Sequence, residues 1–157
     1  MKQTALGFAL LLLVAACAQV ERNPDETTGN SPIPIAAANL TWIDLDPTGA
    51  PGVKIATLWG DPAKSRFGAF LKLPAGFAAP LHTHTHPIKV VIVSGTYIQG
   101  PDGSAEFRLG PGSYLMQPGG NYRHTTSCSS ASDCVIFVES VGAFDLNVVA
   151  ANATAPK

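Results

Sequence analysis

The chain has 157 residues, which is the size of one domain with a real hydrophobic core. Its formal net charge is −1, only 13% of its residues are charged, and Lys and Arg do not cluster anywhere. A chain of this kind lacks the positive patch that nucleic-acid-binding proteins need, so we expect no nucleic-acid partner.

The N-terminal residues have the layout of an export signal. After one early lysine, residues 5–16 include no charged side chain, and this run is too short to span about 30 Å of hydrocarbon as a helix. It ends in Val14-Ala15-Ala16-Cys17, which resembles the lipobox of bacterial lipoproteins. We therefore predict a lipoprotein signal peptide over residues 1–16 and lipidation of Cys17. The alternative is ordinary cleavage at a neighbouring alanine, which gives a soluble secreted protein.

The same segment predicts where the protein works. No consecutive arginines precede the apolar run, so export in the unfolded state by the Sec route is favoured over the Tat route. A Sec substrate folds, oxidises its cysteines and acquires any metal outside the cytoplasm. We expect a cell-envelope protein whose lipid anchors it to a membrane, the outer rather than the inner one, facing the periplasm.

Composition divides the rest of the chain into three parts. Residues 17–39 are rich in Pro, Asn, Thr and Ala, which predicts a flexible tether, and residues 150–157 form a similar C-terminal tail. Residues 40–149 form the predicted domain, with short β-branched and aromatic runs separated by Gly, Pro, Asp and Ser. The predicted strands are Thr41–Leu45, Val53–Trp59, Phe67–Leu73, Lys89–Val93, Thr96–Gln99, Ala105–Leu109, Ser113–Gln117 and Val135–Glu139.

The fold class follows from these strands. No segment carries an amphipathic helical repeat beyond two turns, so the domain is predicted to be all-β. Many short strands in a domain of this size need a closed barrel or a two-sheet jelly roll to hide their edges, and periodicity alone does not choose between them.

Two cysteines bracket a polar loop late in the domain. Cys128 and Cys134 flank Ser-Ser-Ala-Ser-Asp, and outside the cytoplasm such a pair is expected to be oxidised to a disulfide. The alternative is two free thiols on a flexible loop.

A histidine pair is the most informative feature of the domain. In a strand, His82 and His84 point to the same face, about 6–7 Å apart along the backbone, so both rings can bind one ion. Taken alone, two histidines in a Thr-rich stretch more commonly mark a solvated strand end. The residues around the pair therefore decide its interpretation.

Those surrounding residues resemble the two motifs of the cupin superfamily. Gly76, His82, His84 and Gly95 are in register with the first motif, G-x5-H-x-H-x3-E-x6-G. The second motif, G-x5-P-x-G-x2-H-x3-N, is approximated by Gly112, Pro118, Gly120 and His124. On these residues the chain is identified as a cupin, and the resemblance implies a single all-β double-stranded β-helix, or jelly-roll barrel.

The sequence departs from the cupin motifs at two places. The glutamate position is occupied by Ile88, or by Lys89 if the spacer is one residue longer, so the usual carboxylate ligand is missing. His124 lies one residue later than the second motif predicts, which implies a small bulge or a longer turn after Gly120.

The resemblance implies a divalent-metal site at one mouth of the barrel. Its ligands would be His82, His84 and His124, with His86 as the candidate for a fourth; for His86 a ligand role and an exposed rim position stay equally open. An imidazole-rich site that is loaded outside the cytoplasm favours zinc as the cofactor, with iron, manganese and copper as alternatives.

Several other polar residues have two interpretations each. Gln117 and Glu139 are candidate replacements for the missing acid, although ordinary strand-end positions are the plainer interpretation. Lys89 either faces inward, where it would bind an anionic ligand, or faces outward, because burying an unpaired ammonium is costly. Three tyrosines either supply phenol groups to the cavity or belong to the core: Tyr97, Tyr114 and Tyr122.

Within the superfamily, the chain resembles small bacterial cupins of unassigned function related to the cupin module of zinc-binding ChrR-type anti-sigma factors. The segments that carry this resemblance are Leu58–Pro62, Pro74–Phe77, His82–Thr85, Gly110–Tyr114 and Gln117–Gly120. The partner-binding helical module of an anti-sigma factor is absent from the sequence, so that role is not implied.

Three functions remain open at this point. The first is a metal-dependent enzyme, similar to cupin dioxygenases, that acts on a small organic substrate. The second is a non-catalytic protein of the cell envelope that binds or senses zinc or a small ligand. The third is a structural barrel whose site has decayed with the loss of the glutamate. A homodimer is compatible with each of them.

Overall fold

The computed structural model describes residues 31–46 and 48–150. The predicted signal peptide, Cys17, residues 17–30 of the tether and residues 151–157 of the tail therefore lie outside the described residues. Residues 31–39 are exposed and include one 3-10 turn at Ala37–Asn39. The rest consists of strands joined by turns, and the described ranges include no helix long and apolar enough to cross a membrane.

Eleven strands are present in this described part of the chain, and they form two antiparallel sheets. In chain order they are β1 (Ile43–Asp46), β2 (Ala50–Gly60), β3 (Phe67–Leu73), β4 (Ala78–Thr83), β5 (Ile88–Ser94), β6 (Tyr97–Pro101), β7 (Phe107–Leu109), β8 (Tyr114–Gln117), β9 (His124–Cys128), β10 (Cys134–Ser140) and β11 (Asn147–Val148). The larger sheet has the order β1-β2-β3-β10-β5-β8 and the smaller one the order β11-β4-β9-β6-β7. This arrangement confirms the predicted all-β jelly roll.

The core lies between the inner faces of the two sheets, and strand alternation explains it. Along β10, buried residues alternate with partly exposed ones, so Ile136 and Val138 point inward. Ile136 is paired with Leu71 in β3 and with Ile92 in β5, both of which are buried too. Because successive side chains of a strand face opposite sides, one apolar face of this sheet closes over the interior.

The predicted disulfide between Cys128 and Cys134 is formed. Cys128 ends β9 of the smaller sheet and Cys134 begins β10 of the larger one, so the bond ties the two sheets together. Gly95 packs against this connection with a φ of +79°, and a Cβ there would lie 2.5 Å from the Asp133 carbonyl oxygen. Only glycine fits that position, because it combines a left-handed backbone with a close approach.

Candidate metal centre

Three of the four histidines meet inside the barrel. His82 lies in β4, His84 directly follows the end of that strand, and His124 begins β9, where it is paired with His82. Their candidate ligand nitrogens all lie within 4.8 Å of one another, and all three residues are buried. The structure therefore brings together the three histidines that the cupin motifs predict.

The loop between β8 and β9 fixes the backbone at His84. Gly120 donates its N–H to the His84 carbonyl oxygen at 2.8 Å. Gly119 packs so closely on the same segment that a Cβ there would lie 2.6 Å from the Thr85 carbonyl oxygen. The glycines of the second motif thus hold the end of β4 in place. A turn at residues 120–121 then leads to β9, in keeping with the longer connection expected after Gly120.

Two of the imidazoles are oriented by backbone carbonyl groups. His82 donates from Nδ1 to the carbonyl oxygen of Pro80 at 2.7 Å, and His84 donates from Nδ1 to the carbonyl oxygen of Asp145. A neutral imidazole that carries its proton on Nδ1 has a free lone pair on Nε2. Nδ1–H donation to a carbonyl oxygen is a common way to fix a histidine as a metal ligand.

His124 is held differently. Neither of its ring nitrogens has a hydrogen-bond partner among the described residues, although both are buried. Its ring stacks on Tyr122 with the centroids 5.3 Å apart, and the Tyr122 hydroxyl oxygen accepts a hydrogen bond from Gln99 Nε2 at 3.3 Å. Leaving a buried polar atom without a partner is costly, so an electron-pair acceptor such as a metal ion fits this position.

The protonation states also fit a metal ion. Burial lowers the pKa values of His82, His84 and His124 below the usual range of histidine. The pKa of His124 falls to about 4, because the imidazoles of His82 and His84 lower it further. The rings are therefore neutral at neutral pH, which is the state that binds metal. Convergence, free lone pairs and neutral charge make this donor set suitable for one divalent ion.

Two histidines of the cluster, His82 and His84, line an apolar cavity between the two sheets. About 70 Å³ is free for the centre of a water-sized molecule. Apolar side chains form most of the wall, including Phe77 and Phe144, and its polar members are His82, His84, Tyr97, Gln117 and Thr126. The Tyr97 hydroxyl shares a hydrogen bond with Thr126 Oγ1 at 3.3 Å, and burial raises the pKa of Tyr97 to about 12. This phenol therefore stays neutral.

The position of the missing glutamate is occupied by an apolar residue. Ile88 is buried and lines the cavity, whereas Lys89 faces outward and forms a 3.1 Å ion pair with Glu139 of the neighbouring strand. Glu139 therefore lies on the outer face of the larger sheet and does not replace the acid. Gln117, which is paired with Ile88 across the sheet, does reach the cavity wall.

Other residues singled out from the sequence lie away from the cluster. The structure does not bring His86 into the group: it sits in a bend after β4, half-buried, with its ring packed against Gly142. Among the tyrosines, Tyr97 lines the cavity and Tyr122 stacks on His124, while Tyr114 is 58% exposed.

Three residues of the site were not predicted from the sequence. Asp145 orients His84 through its carbonyl group, and its carboxylate accepts hydrogen bonds from the backbone N–H of Thr85 at 2.8 Å and from the Thr85 hydroxyl. Phe144 packs on the His84 ring with the centroids 5.4 Å apart. Gln99 reaches Tyr122 from β6. None of the three belongs to a cupin motif, so no sequence signal pointed to them.

Comparisons with known proteins agree with this architecture. The profile of one family, described as a domain of unknown function (DUF4437), matches residues 11–147. The comparison with curated proteins gives no match. Among solved structures, the polyketide cyclase RemF from Streptomyces resistomycificus has a TM-score of 0.65 at 15% identity, covering 78% of this chain and 89% of that chain.

Two further structures show the same likeness. A cupin-2 domain protein from Rhodospirillum rubrum has a TM-score of 0.59 at 15% identity, with 77% of this chain and 82% of that chain covered. An RmlC-like cupin from Ralstonia eutropha has a TM-score of 0.56 at 22% identity, with coverages of 73% and 74%. At such identities the likeness establishes the fold alone, which is that of a cupin.

Proposed function

This chain belongs to the DUF4437 family, and we propose that it is a metal-dependent cupin enzyme that acts on a small organic substrate. His82, His84 and His124 would hold a divalent ion, with zinc as the first choice. The observation that carries the proposal is the convergence of three buried, neutral imidazoles beside an apolar cavity. Such a set is an unfavourable way to build a core, because it leaves buried nitrogens without partners.

The contacts within the site indicate a separate role for each group of residues. A bound divalent ion supplies a Lewis-acidic centre with coordination positions open to a substrate. Pro80 and Asp145 keep the Nε2 atoms of His82 and His84 available through their carbonyl groups. The apolar wall excludes water, and the neutral Tyr97 hydroxyl and the Gln117 amide offer hydrogen bonds that orient a ligand.

One observation favours a second candidate function. Among the residues that line the cavity there is no carboxylate that could serve as a general base, and the Tyr97 phenol is neutral. A site of that composition also suits a non-catalytic protein that binds or senses zinc or a small ligand. Turnover of an added substrate by the metal-loaded protein, abolished in His124→Ala, separates the enzyme from the binder.

We also propose that the protein is exported and lipid-anchored in the cell envelope, facing the periplasm. Two observations support this location. The segment Val14–Cys17 has the lipobox pattern, and Cys128 and Cys134 form a disulfide of the kind that persists in oxidising compartments. Metal loading after export supports zinc or copper over iron or manganese.

The metal site is tested by titrating the full chain with zinc. His82→Ala, His84→Ala and His124→Ala should each lower zinc affinity by at least about tenfold, because two imidazoles are too few for a stable complex. His86→Ala is the matched control and should bind zinc as the unmodified chain does. Loss of zinc in His86→Ala together with retention in His124→Ala would reject the site.

A further inference from the structure

The walls of the cavity are without formal charge. Its polar side chains are two imidazoles, one phenol, one amide and one hydroxyl: His82, His84, Tyr97, Gln117 and Thr126. No Asp, Glu, Lys or Arg of the described residues lines it. Lys89 and Glu139, on two of the strands that line the cavity, form an ion pair with each other on the outer face of the sheet. Within the described part of the chain, the ligand cluster itself contains histidines only.

Asp145, whose carbonyl oxygen accepts a hydrogen bond from His84, has its carboxylate engaged by other donors. The Asp145 carboxylate accepts hydrogen bonds from the Thr85 N–H, the Thr85 hydroxyl and the Asn147 amide, and the residue is half-buried. Its charge is thus shared among fixed donors and solvent, outside the cavity.

A charge imbalance follows once a divalent ion is bound. Three neutral imidazoles leave both positive charges of the ion uncompensated beside an apolar wall, where opposite charges attract strongly. In cupins that keep the motif glutamate, one carboxylate offsets part of that charge, and here Ile88 stands in its place. An anionic group on the ligand would compensate this charge.

We propose that this site selects a small apolar monoanion of the short-chain carboxylate type, with Gln117 as a neutral hydrogen-bond donor to the anionic group. The proposal rests on the metal site of the proposed function. The charge and size of the ligand would then be selected by the metal ion, the apolar wall and Gln117.

The shape of the cavity sets the size of the ligand. The free volume of about 70 Å³ has room for roughly five to seven water-sized groups, if each needs about 10–15 Å³. Gln117 pairs with Ile88, and both line the same cavity as His82 and His84. The remaining wall is apolar, which suits a hydrocarbon chain of a few carbons behind one anionic group.

The side chain of Gln117 has the chemistry needed to bind an anionic group. It is buried, so an ionised side chain there would be costly, while its amide Nε2 can donate to an anionic oxygen. A glutamate at this position would itself offset the charge of the ion and would repel an anionic ligand. The exchange of one amide for one carboxylate is therefore a sharp test of the charge argument.

The first experiment compares three probes of equal length on the zinc-loaded full chain by calorimetry. Pentanoate should bind at least about tenfold more tightly than neutral pentanamide, and pentylammonium should give no detectable heat of binding. Each methylene removed between pentanoate and propanoate should weaken binding about fourfold, because apolar surface is no longer buried. Equal affinity for pentanoate and pentanamide would overturn the proposal.

The second experiment uses Gln117→Glu, with Lys89→Gln as a control that changes the net charge by the same amount on the outer face. Gln117→Glu should lower pentanoate affinity at least about tenfold without lowering zinc affinity, whereas Lys89→Gln should change neither. Unchanged pentanoate affinity in Gln117→Glu would overturn the role of Gln117. Zinc titration of every variant keeps the two proposals apart, because failure of zinc binding rejects the metal site itself.

Discussion

His124 is the ligand whose orientation depends on other side chains instead of a backbone carbonyl group. Its ring stacks on Tyr122, whose hydroxyl is held by Gln99, and both nitrogens lack a hydrogen-bond partner in the described residues. Contacts around a metal ligand fix its orientation and so influence how tightly it binds the metal. Tyr122 should therefore influence metal binding without contacting the metal.

We expect Tyr122→Leu to lower zinc affinity by about tenfold or more, because outer contacts of this kind commonly contribute 10–100-fold. Tyr122→Phe keeps the stacked ring and loses the bond to Gln99, so its affinity should lie in between. Tyr114→Leu is the control, since that tyrosine is exposed at the surface. Competition with a coloured chelator measures all three, and zinc affinity in Tyr122→Leu equal to that of the unmodified chain contradicts the positioning role.

The lowered pKa values of the histidines predict how the metal-free protein responds to pH. In the unfolded chain these imidazoles have a pKa near 6.5, and in the folded protein burial lowers the pKa of His124 to about 4. Between these values the unfolded state binds more protons than the folded state, so stability falls as pH falls. At neutral pH and above, both states are unprotonated and this contribution is fully present.

The melting temperature of the metal-free full chain should therefore decline from pH 6.5 towards pH 4.5. His124→Gln should flatten the decline, because the residue that resists protonation is gone, whereas His86→Gln should leave the slope unchanged. A melting temperature that is independent of pH over this range, in the chain with all histidines present, shows that the burial argument is wrong.

At the scale of elements, β4 and β9 carry the candidate ligands, and neither was among the predicted strands. Hydrophobic alternation located the other strands except β11, and the bounds of β3, Phe67–Leu73, were predicted correctly. In β9 the buried positions begin with His124, and Thr126 also reaches the cavity, so the apolar period that marks a strand is absent. Polar residues stand at inward positions of β9 where apolar residues would have indicated a strand. Only the spacing of the cupin motifs therefore located the site.

Contributions from distant segments could not be predicted for a related reason. Phe144 and Asp145 reach the cluster because β11 pairs with β4, and β11 is two residues long. A strand that short has no periodicity to detect. The inward placement of Ile88 over Lys89 likewise became clear only from the pairing of β5 with β8 and β10.

The disulfide joins elements of different sheets, so its loss should lower global stability. Closing a loop as short as Cys128–Cys134 is expected to contribute about 2 kcal/mol to the free energy of unfolding. We expect the Cys128→Ala, Cys134→Ala double variant to lose about that amount in urea unfolding, and reduction of the unmodified chain to do the same. Labelling of both thiols by alkylation of the unfolded, unreduced protein would contradict the bond.

At the scale of the whole molecule, a surface cleft adjoins the inner cavity at β1 and β11, one edge strand of each sheet. The cleft is lined by Leu45 and Asp46 of β1 and by Leu146 and Val148 at β11. Leu45, Phe144 and Leu146 line both this cleft and the inner cavity. Leu146 and Val148 are exposed apolar residues at the rim of this cleft, and the carboxylates of Asp46 and Asp145 also line it.

The location of the protein depends on whether Cys17 is lipidated. If the segment Val14–Cys17 is cleaved as a lipobox, the mature protein begins at Cys17 and carries acyl chains there. Each methylene of these chains that is buried in the membrane contributes about 0.8 kcal/mol to membrane binding. Several chains on one residue give stable anchoring, whereas secretion after an ordinary cleavage gives a protein that stays in the aqueous phase.

We therefore expect the mature protein to partition into the detergent phase and mass spectrometry to find an acylated N-terminal Cys17. Cys17→Ser should release a soluble form or stop processing, because serine offers no thiol to the lipid. The Cys128→Ala, Cys134→Ala variant is the matched control: it lacks the disulfide but should still partition into detergent, which assigns the anchor to the first cysteine alone. An unmodified N-terminus at another residue rejects the anchor while leaving the metal site intact, since the three histidines lie in strands and loops far along the chain from it.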